Sequence, residues 1–249
     1  MKKRRKLWIW LSAILAIIAI LVGACAIYLL NYYHADEDAI EAFLGEDTLT
    51  YSVLEDGSIV YEPDGATAGF IFYPGGKVEH KAYIPLMHAL AERGIITILV
   101  EMPFRLAVFD VDAADGLQEL FPNIESWYIG GHSLGGSMAA AYLSENVSRY
   151  DGLVLLAAYS TEDLTSTDLR VLSVYGSEDK VLNMKKYRKN KANLPDGFEE
   201  TVIEGGCHAY FGMYGRQDGD GTPTVTAEEQ ILITSDRIAN FIHMAEEAS

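Results

Sequence analysis

Ser126-Trp127-Tyr128-Ile129-Gly130-Gly131-His132-Ser133-Leu134-Gly135-Gly136-Ser137-Met138-Ala139-Ala140-Ala141 is the stretch whose reading decides the fold. It opens on a strand-like run, closes on small residues suited to a helix, and carries Gly-x-Ser-x-Gly at the junction, Gly131 to Gly135. A strand that passes directly into a helix needs so tight a turn that a side chain at either glycine collides with nearby backbone. Such a turn lifts the Ser133 hydroxyl above the sheet, beside the helix N-terminus. The bland reading is a glycine-rich turn whose serine only caps the helix. The strand before the motif and the helix after it favour the exposed nucleophile.

Outward from this turn, strand-like and helix-like segments alternate. Leu49 to Leu54 and Ser58 to Tyr61 flank Glu55-Asp56-Gly57 and predict an antiparallel hairpin at one sheet edge. Gly69 to Tyr73, closed by Pro74-Gly75-Gly76, and Ile95 to Val100 read as buried strands. Between them lies a helix with Pro85 near its start and Gly94 past its end. A helical stretch is expected near Leu106 to Leu120, then strands at Leu153 to Ala158, Leu169 to Tyr175 and Glu199 to Ile203. A charged helix is expected around Val181 to Asn193, and a last one behind the capping box of Thr226 and Glu229. The alternation predicts one three-layer α/β domain over residues 49 to 249, with a mostly parallel central sheet of seven or eight strands.

A serine hydroxyl needs a base, and the base needs an orienting group. Of the six histidines, His34 lies near the N-terminal segment, His80 and His88 on the helix after the first core strand, and His243 on the last helix. His132 adjoins the nucleophile and points elsewhere if Ser133 occupies the turn. His208 remains, in Gly205-Gly206-Cys207-His208 directly after the last strand, where a loop can hold a base over the carboxyl edge of the sheet. For the acid, Gly176-Ser177-Glu178-Asp179 follows a buried strand. Asp179 is preferred because the later residue can reach back over the edge, with Glu178 as the alternative. The chain order Ser133, Asp179, His208 agrees with one of the three unrelated orders in which such triads occur.

These three pieces, Gly131-His132-Ser133-Leu134-Gly135-Gly136, Gly176-Ser177-Glu178-Asp179 and Gly206-Cys207-His208, resemble the alpha/beta-hydrolase superfamily, particularly small lid-poor members laid out like dienelactone hydrolases. The resemblance spans about residues 49 to 245 and implies nucleophile, acid and base roles for Ser133, Asp179 and His208. Dienelactone hydrolases proper use cysteine where this chain has Ser133. One donor for the negatively charged oxygen of a tetrahedral intermediate is expected at the Leu134 N–H, just after the nucleophile. The second is expected in Tyr73-Pro74-Gly75-Gly76-Lys77, which resembles the family's His-Gly-x loop with proline in place of histidine. That alignment nominates the Gly76 N–H, with Lys77 N–H as the alternative.

Only Tyr159 to Asp168, ten residues, separate the two strands between which lids are usually inserted in this superfamily, so no lid is expected. An open site suits a small or extended acyl substrate, and the chemistry calls for no cofactor and no metal. Cys207 reads as a small buried residue, and Asp218-Gly219-Asp220-Gly221 lacks full calcium-loop spacing. Tyr159, Tyr210, Phe211, Met213 and Tyr214 could wall an apolar pocket or pack on the core. The expected activity is a carboxylic-ester hydrolase acting through an acyl-enzyme; thioesterase and peptidase share the same parts. A binding or scaffold protein on this fold is the rival from another class, although it needs none of the triad.

The chain of 249 residues carries net charge −17, distributed unevenly. Lys2-Lys3-Arg4-Arg5-Lys6 precede 24 uncharged positions, Leu7 to Leu30, leaving 14 basic against 36 acidic groups, about −22, beyond them. A domain so acidic repels nucleic acid. At about 1.5 Å per residue the uncharged run reaches roughly 36 Å, enough to cross a hydrocarbon core of roughly 30 Å. Residues 1 to 30 therefore read as a basic tip and a bilayer-spanning anchor, followed by an acidic stalk or leading helix at 31 to 48. Cations ahead of the span predict a single-pass cell-membrane protein with its catalytic domain outside the cytoplasm. A cleaved signal peptide is a competing reading, as is a lipoprotein, since Val22-Gly23-Ala24-Cys25 resembles a lipobox. The two cysteines, Cys25 and Cys207, offer no disulfide framework within the domain.

Overall fold

The computed structural model describes residues 2–46 and 49–246. Met1, Asp47, Thr48 and residues 247–249, at the bounds of the expected segments, lie outside the described residues. Two compact units form, Met1–Tyr32 and Tyr33–Ser249. The first contains one helix, α1 (Lys2–Leu30), whose stretch Trp10–Leu30 is long and apolar enough to cross a membrane by length and composition.

The second unit begins with Tyr33, whose backbone pairs with the segment after the third strand: its N–H donates to Lys77 O, and its carbonyl accepts from Glu79 N–H. A short helix, α2 (Glu37–Leu44), follows, capped by Asp36, and buries Ile40 against the core. Residues 33 to 46, within the segment expected as a stalk or leading helix, thus pack with the domain.

Eight strands follow: β1 (Tyr51–Val53), β2 (Ile59–Tyr61), β3 (Ala68–Tyr73), β4 (Ile95–Leu99), β5 (Ser126–His132), β6 (Gly152–Leu156), β7 (Arg170–Gly176) and β8 (Glu199–Ile203). They form one sheet in the order β1-β2-β4-β3-β5-β6-β7-β8. The β1–β2 hairpin is antiparallel, as its turn predicts, and β2 also meets β4 antiparallel; every other pairing is parallel. Gly57 closes the hairpin at φ 89°, a conformation that favours glycine. This is the mostly parallel sheet of the alpha/beta-hydrolase fold, with an antiparallel pair at one edge.

The helices of this unit are α3 (Ile84–Ala91), α4 (Leu134–Glu145), α5 (Met184–Asn190) and α6 (Ala227–Glu246), besides α2. The central strands are apolar on both faces because both are covered. Phe70, Phe72, Val154 and Leu172 join one core with α3 and α6 residues such as Leu86, Ile238 and Phe241. Ile71, Tyr73, Leu153 and Val171 join the other, with α4 residues Ala139, Ala140 and Leu143. Full burial of a side chain of this size contributes about 1.5–3 kcal/mol. The expected capping box is formed at α6: Thr226 N–H donates to Glu229 Oε2, and Glu229 N–H to Thr226 Oγ1.

One expected element is not formed. Residues 106–120 hold short 3-10 turns, Ala107–Phe109 and Gln118–Leu120, rather than a helix. Phe104 and Arg105, at φ 52° and 58°, break the backbone just before it. Tyr73 then takes over local hydrogen bonds: its hydroxyl donates to Val111 O and accepts from Ala114 N–H. Gly116 at φ 79° breaks the chain again.

Candidate active site

β5 ends at His132, Ser133 follows at φ 52°, ψ −118°, and α4 begins at Leu134. A serine in this region is strained by about 1–3 kcal/mol and persists only where its surroundings over-determine it. Ser133 N–H donates to Leu156 O on β6, and Ser133 O accepts from Ser137 N–H. The glycines are sterically required. A Cβ on Gly131 would lie 2.4 Å from Tyr73 O, and one on Gly135 would lie 2.2 Å from Pro74 O. Both obstacles are backbone, which cannot swing aside as a side chain could.

Asp179 and His208 meet above the carboxyl ends of β7 and β8. His208 Nδ1 lies 2.9 Å from Asp179 Oδ2, with both side chains almost wholly buried. The other carboxylate oxygen, Oδ1, accepts the N–H groups of Val181 and Leu182, each at 2.8 Å. Asp179 is thus fixed on both oxygens and presents one of them to the imidazole. Glu178, the alternative acid, contributes its backbone here, donating its N–H to Gly206 O. Ser133 and His208 line one cleft of about 250 Å³, together with Leu134, Tyr159, Val181 and Leu182.

In the loop after β3, hydrogen bonding separates the candidate oxyanion donors. Gly75 N–H donates to the Tyr83 hydroxyl, and Lys77 N–H to Arg105 O at 2.7 Å. Among the described residues Gly76 N–H has no protein acceptor, while the alternative donor at Lys77 is occupied. Leu134 N–H is the first of α4, so the helix itself offers it no acceptor. The two residues adjoin: a Cβ on Gly76 would lie 2.8 Å from Leu134 Cδ2.

Four contributors, His132, Tyr83, Gln230 and Asp220, escaped the sequence reading. His132, set aside as pointing elsewhere, is buried with its ring centroid 4.6 Å from that of His208. Its Nδ1 lies 2.8 Å from the Tyr83 hydroxyl, which also accepts from Gly75 N–H. The phenol thus bridges the Gly75 N–H and the His132 ring. Burial first, then the nearby His208, hold His132 well below the usual imidazole range, so it is neutral. Tyr83 thus ties the loop after β3 to the residue preceding Ser133.

Gln230 on α6 clamps the other side. Its Oε1 accepts Cys207 N–H at 2.9 Å and its Nε2 donates to Cys207 O at 2.8 Å, fixing the backbone just before His208. Asp220, weighed above only as part of a calcium loop, accepts the N–H groups of Ala209, Lys180 and Gly221. Burial opposes its ionisation, but these backbone donors, with His208, prevail and hold the carboxyl below its ordinary range. It ties the loop carrying Asp179 to the loop carrying His208. A single glutamine or aspartate far along the chain gives no local signal of such a role.

Burial pushes the Cys207 thiol up to about 12, so it stays protonated and is a poor nucleophile. Of the residues that could wall a pocket, Tyr159 lines the cleft, whereas Phe211, Met213 and Tyr214 belong to the core.

The model of the alpha/beta hydrolase family matches residues 69–232, from the third strand into the last helix. The chain belongs to the alpha/beta hydrolase family. Membership supports a hydrolase in general. Solved structures with this fold include a sugar hydrolase from Lactococcus lactis, 17% identical, with TM-score 0.57 over 80% of this chain and 98% of that one. A dienelactone hydrolase from Anabaena variabilis is 10% identical, with TM-score 0.56 over 78% of this chain and 97% of the other. Est1E from Butyrivibrio proteoclasticus is 12% identical, with TM-score 0.56 over 80% and 99%. At these identities the likeness is one of fold. No curated protein matches the chain.

A buried carboxylate on one imidazole nitrogen, a serine sharing the cleft and two N–H groups beside it are the parts of acyl transfer.

Proposed function

We propose that this hydrolase cleaves carboxylic esters through an acyl-enzyme on Ser133. His208 takes the hydroxyl proton as Oγ attacks the carbonyl carbon and later returns it to the departing alcohol; water then releases the acid by the same route. Asp179 holds the imidazole in the required tautomer and stabilises the imidazolium. The N–H groups of Leu134 and Gly76 receive the negative oxygen of each tetrahedral intermediate. The observation carrying this reading is the 2.9 Å contact of His208 with Asp179 beside a cleft that Ser133 shares.

The apolar helix and the cations before it support a further part of the proposal: residues 7 to 30 anchor the protein in the cell membrane, with the catalytic domain outside the cytoplasm. An uncleaved anchor accounts for the length of the apolar run and for the absence of a clear Ala-x-Ala before a polar start.

The test is a panel of acyl esters, thioesters and peptides presented to the purified full chain and to Ser133→Ala. Ester turnover should exceed the other two and fall by about 10³-fold or more in the variant. Turnover that is equal in the two proteins would reject Ser133 as nucleophile.

A further inference from the structure

The turn after β4 joins the oxyanion loop to a group of aromatic side chains that has no part in the machinery above. Phe104, Val108 and Phe109 are 58%, 46% and 58% exposed on an otherwise strongly acidic domain. Large apolar side chains grouped at one exposed place mark a binding surface more often than chance scatter does. Phe104 and Phe109 stack edge to face at 5.7 Å, which makes the pair a preformed platform.

Its position is what gives it meaning. Arg105, next to Phe104, accepts the Lys77 N–H, one residue past the Gly76 donor. Leu106, between the two rings in sequence, packs toward Gly76: a Cβ there would lie 3.5 Å from Leu106 Cδ2 and 2.8 Å from Leu134 Cδ2. The turn Ala107–Phe109 also packs along α4. Through Leu106 the segment carrying the platform is thus joined to the two residues that would hold the oxyanion. The cleft itself, about 250 Å³, is smaller than the roughly 300–1,000 Å³ that encloses an ordinary small-molecule ligand. A substrate longer than the cleft must extend beyond it, and the exposed rings of Phe104 and Phe109 flank Leu106, which packs toward Gly76 beside cleft residue Leu134.

We propose that Phe104, Val108 and Phe109 form a subsite for an alkyl or aryl group of the ester, so that the substrate class is esters with a medium or long apolar arm. The subsite rests on the ester-hydrolase reading above. An arm lying across the two rings removes apolar surface of both partners from water, a gain that grows with each methylene. An acetyl ester of a small alcohol gains nothing from it.

Two ester series test the idea and separate the sources of the arm: one lengthens the acyl chain on a fixed leaving group, the other lengthens the alcohol on a fixed acetyl group. With the full chain, kcat/KM should rise by about tenfold or more between two and eight carbons in one series, which names the side that carries the arm. In Phe104→Asn/Phe109→Ser that rise should flatten, and in Phe104→Leu/Phe109→Leu most of it should survive. Asparagine suits the positive φ at position 104, and both side chains are exposed, so the fold should tolerate these changes. A wild-type profile flat in both series, or a rise that the polar variant leaves intact, would overturn the subsite. Loss of all Ser133-dependent turnover in the wild type would be a different failure: it would overturn the hydrolase reading first, and the subsite with it.

Discussion

Ser133 and His208, the proposed nucleophile and base, sit over the same sheet edge but are held by opposite means. Ser133 is fixed by its immediate neighbours in sequence: a strand, a strained residue, a helix and glycines whose missing side chains let Tyr73 and Pro74 approach. His208 is fixed by residues distant in sequence: Asp179 on its ring, Gln230 on the backbone before it and Asp220 on the backbone after it. Steric exclusion is all-or-none, whereas a set of hydrogen bonds can lose one member and keep the rest. Changes on the two sides should therefore fail differently.

The largest effect is expected at the turn. Gly135→Ala sets a methyl group within 2.2 Å of Pro74 O, which only a backbone shift can relieve. Loss of about 3 kcal/mol or more, or failure to fold, should appear in denaturant melts. On the base side, Gln230→Ala leaves the buried Cys207 N–H and C=O without their partner, and about 2–3 kcal/mol should be lost while the fold survives. Equal damage from the two variants would erase the contrast.

Between the two regions lies Tyr83, bonded to both Gly75 and His132. Tyr83→Phe keeps the ring and removes the hydroxyl, costing about 1–3 kcal/mol for two buried partners left unpaired. Ester turnover should show it as a lower kcat with KM little changed, because the adjoining loop is the one proposed to hold the oxyanion in the transition state.

A smaller effect should follow pH. The Asp220 carboxyl has a folded-state value below its unfolded one, so the ionised group stabilises the fold above the ordinary carboxylate range. That contribution disappears as pH falls through the folded-state value. Asp220→Asn should lower stability near neutral pH and flatten its decline in acid, read as Tm against pH. An unchanged acid decline would remove Asp220 from the account.

The smallest effect has the opposite sign. Ser133→Gly relieves the positive φ and should raise stability by about 1 kcal/mol while abolishing ester turnover. A destabilised variant would mean that the strain at Ser133 is not stored there.

The same contrast explains what was legible in the sequence. The turn at Ser133 could be read because its causes are adjacent: β-branched and aromatic residues, then glycines, then small helix formers. Strand order at the hairpin edge, the capping box at Thr226 and the last strand at Glu199–Ile203 were readable for the same reason. The helix expected at 106–120 failed because Tyr73, some 40 residues earlier, captures the local backbone groups, which no window of sequence reveals. Gln230, Asp220 and Tyr83 were missed likewise, since each acts on backbone far from its own position. In the sequence, reach alone favours Asp179 over Glu178, and its meeting with His208 depends on how Gly176 lets the His208 loop approach: a Cβ there would lie 2.2 Å from Gly206 O.

The central claim is that the locally built serine and the remotely held histidine work as one unit, and labelling by a fluorophosphonate, which reacts with activated serines whatever the substrate, tests it most directly. The account predicts labelling of the full chain at Ser133, with a rate lower by about 10²-fold or more in His208→Ala while the fold is retained. A folded wild-type protein that stays unlabelled, or labelling that His208→Ala leaves unchanged, would contradict it.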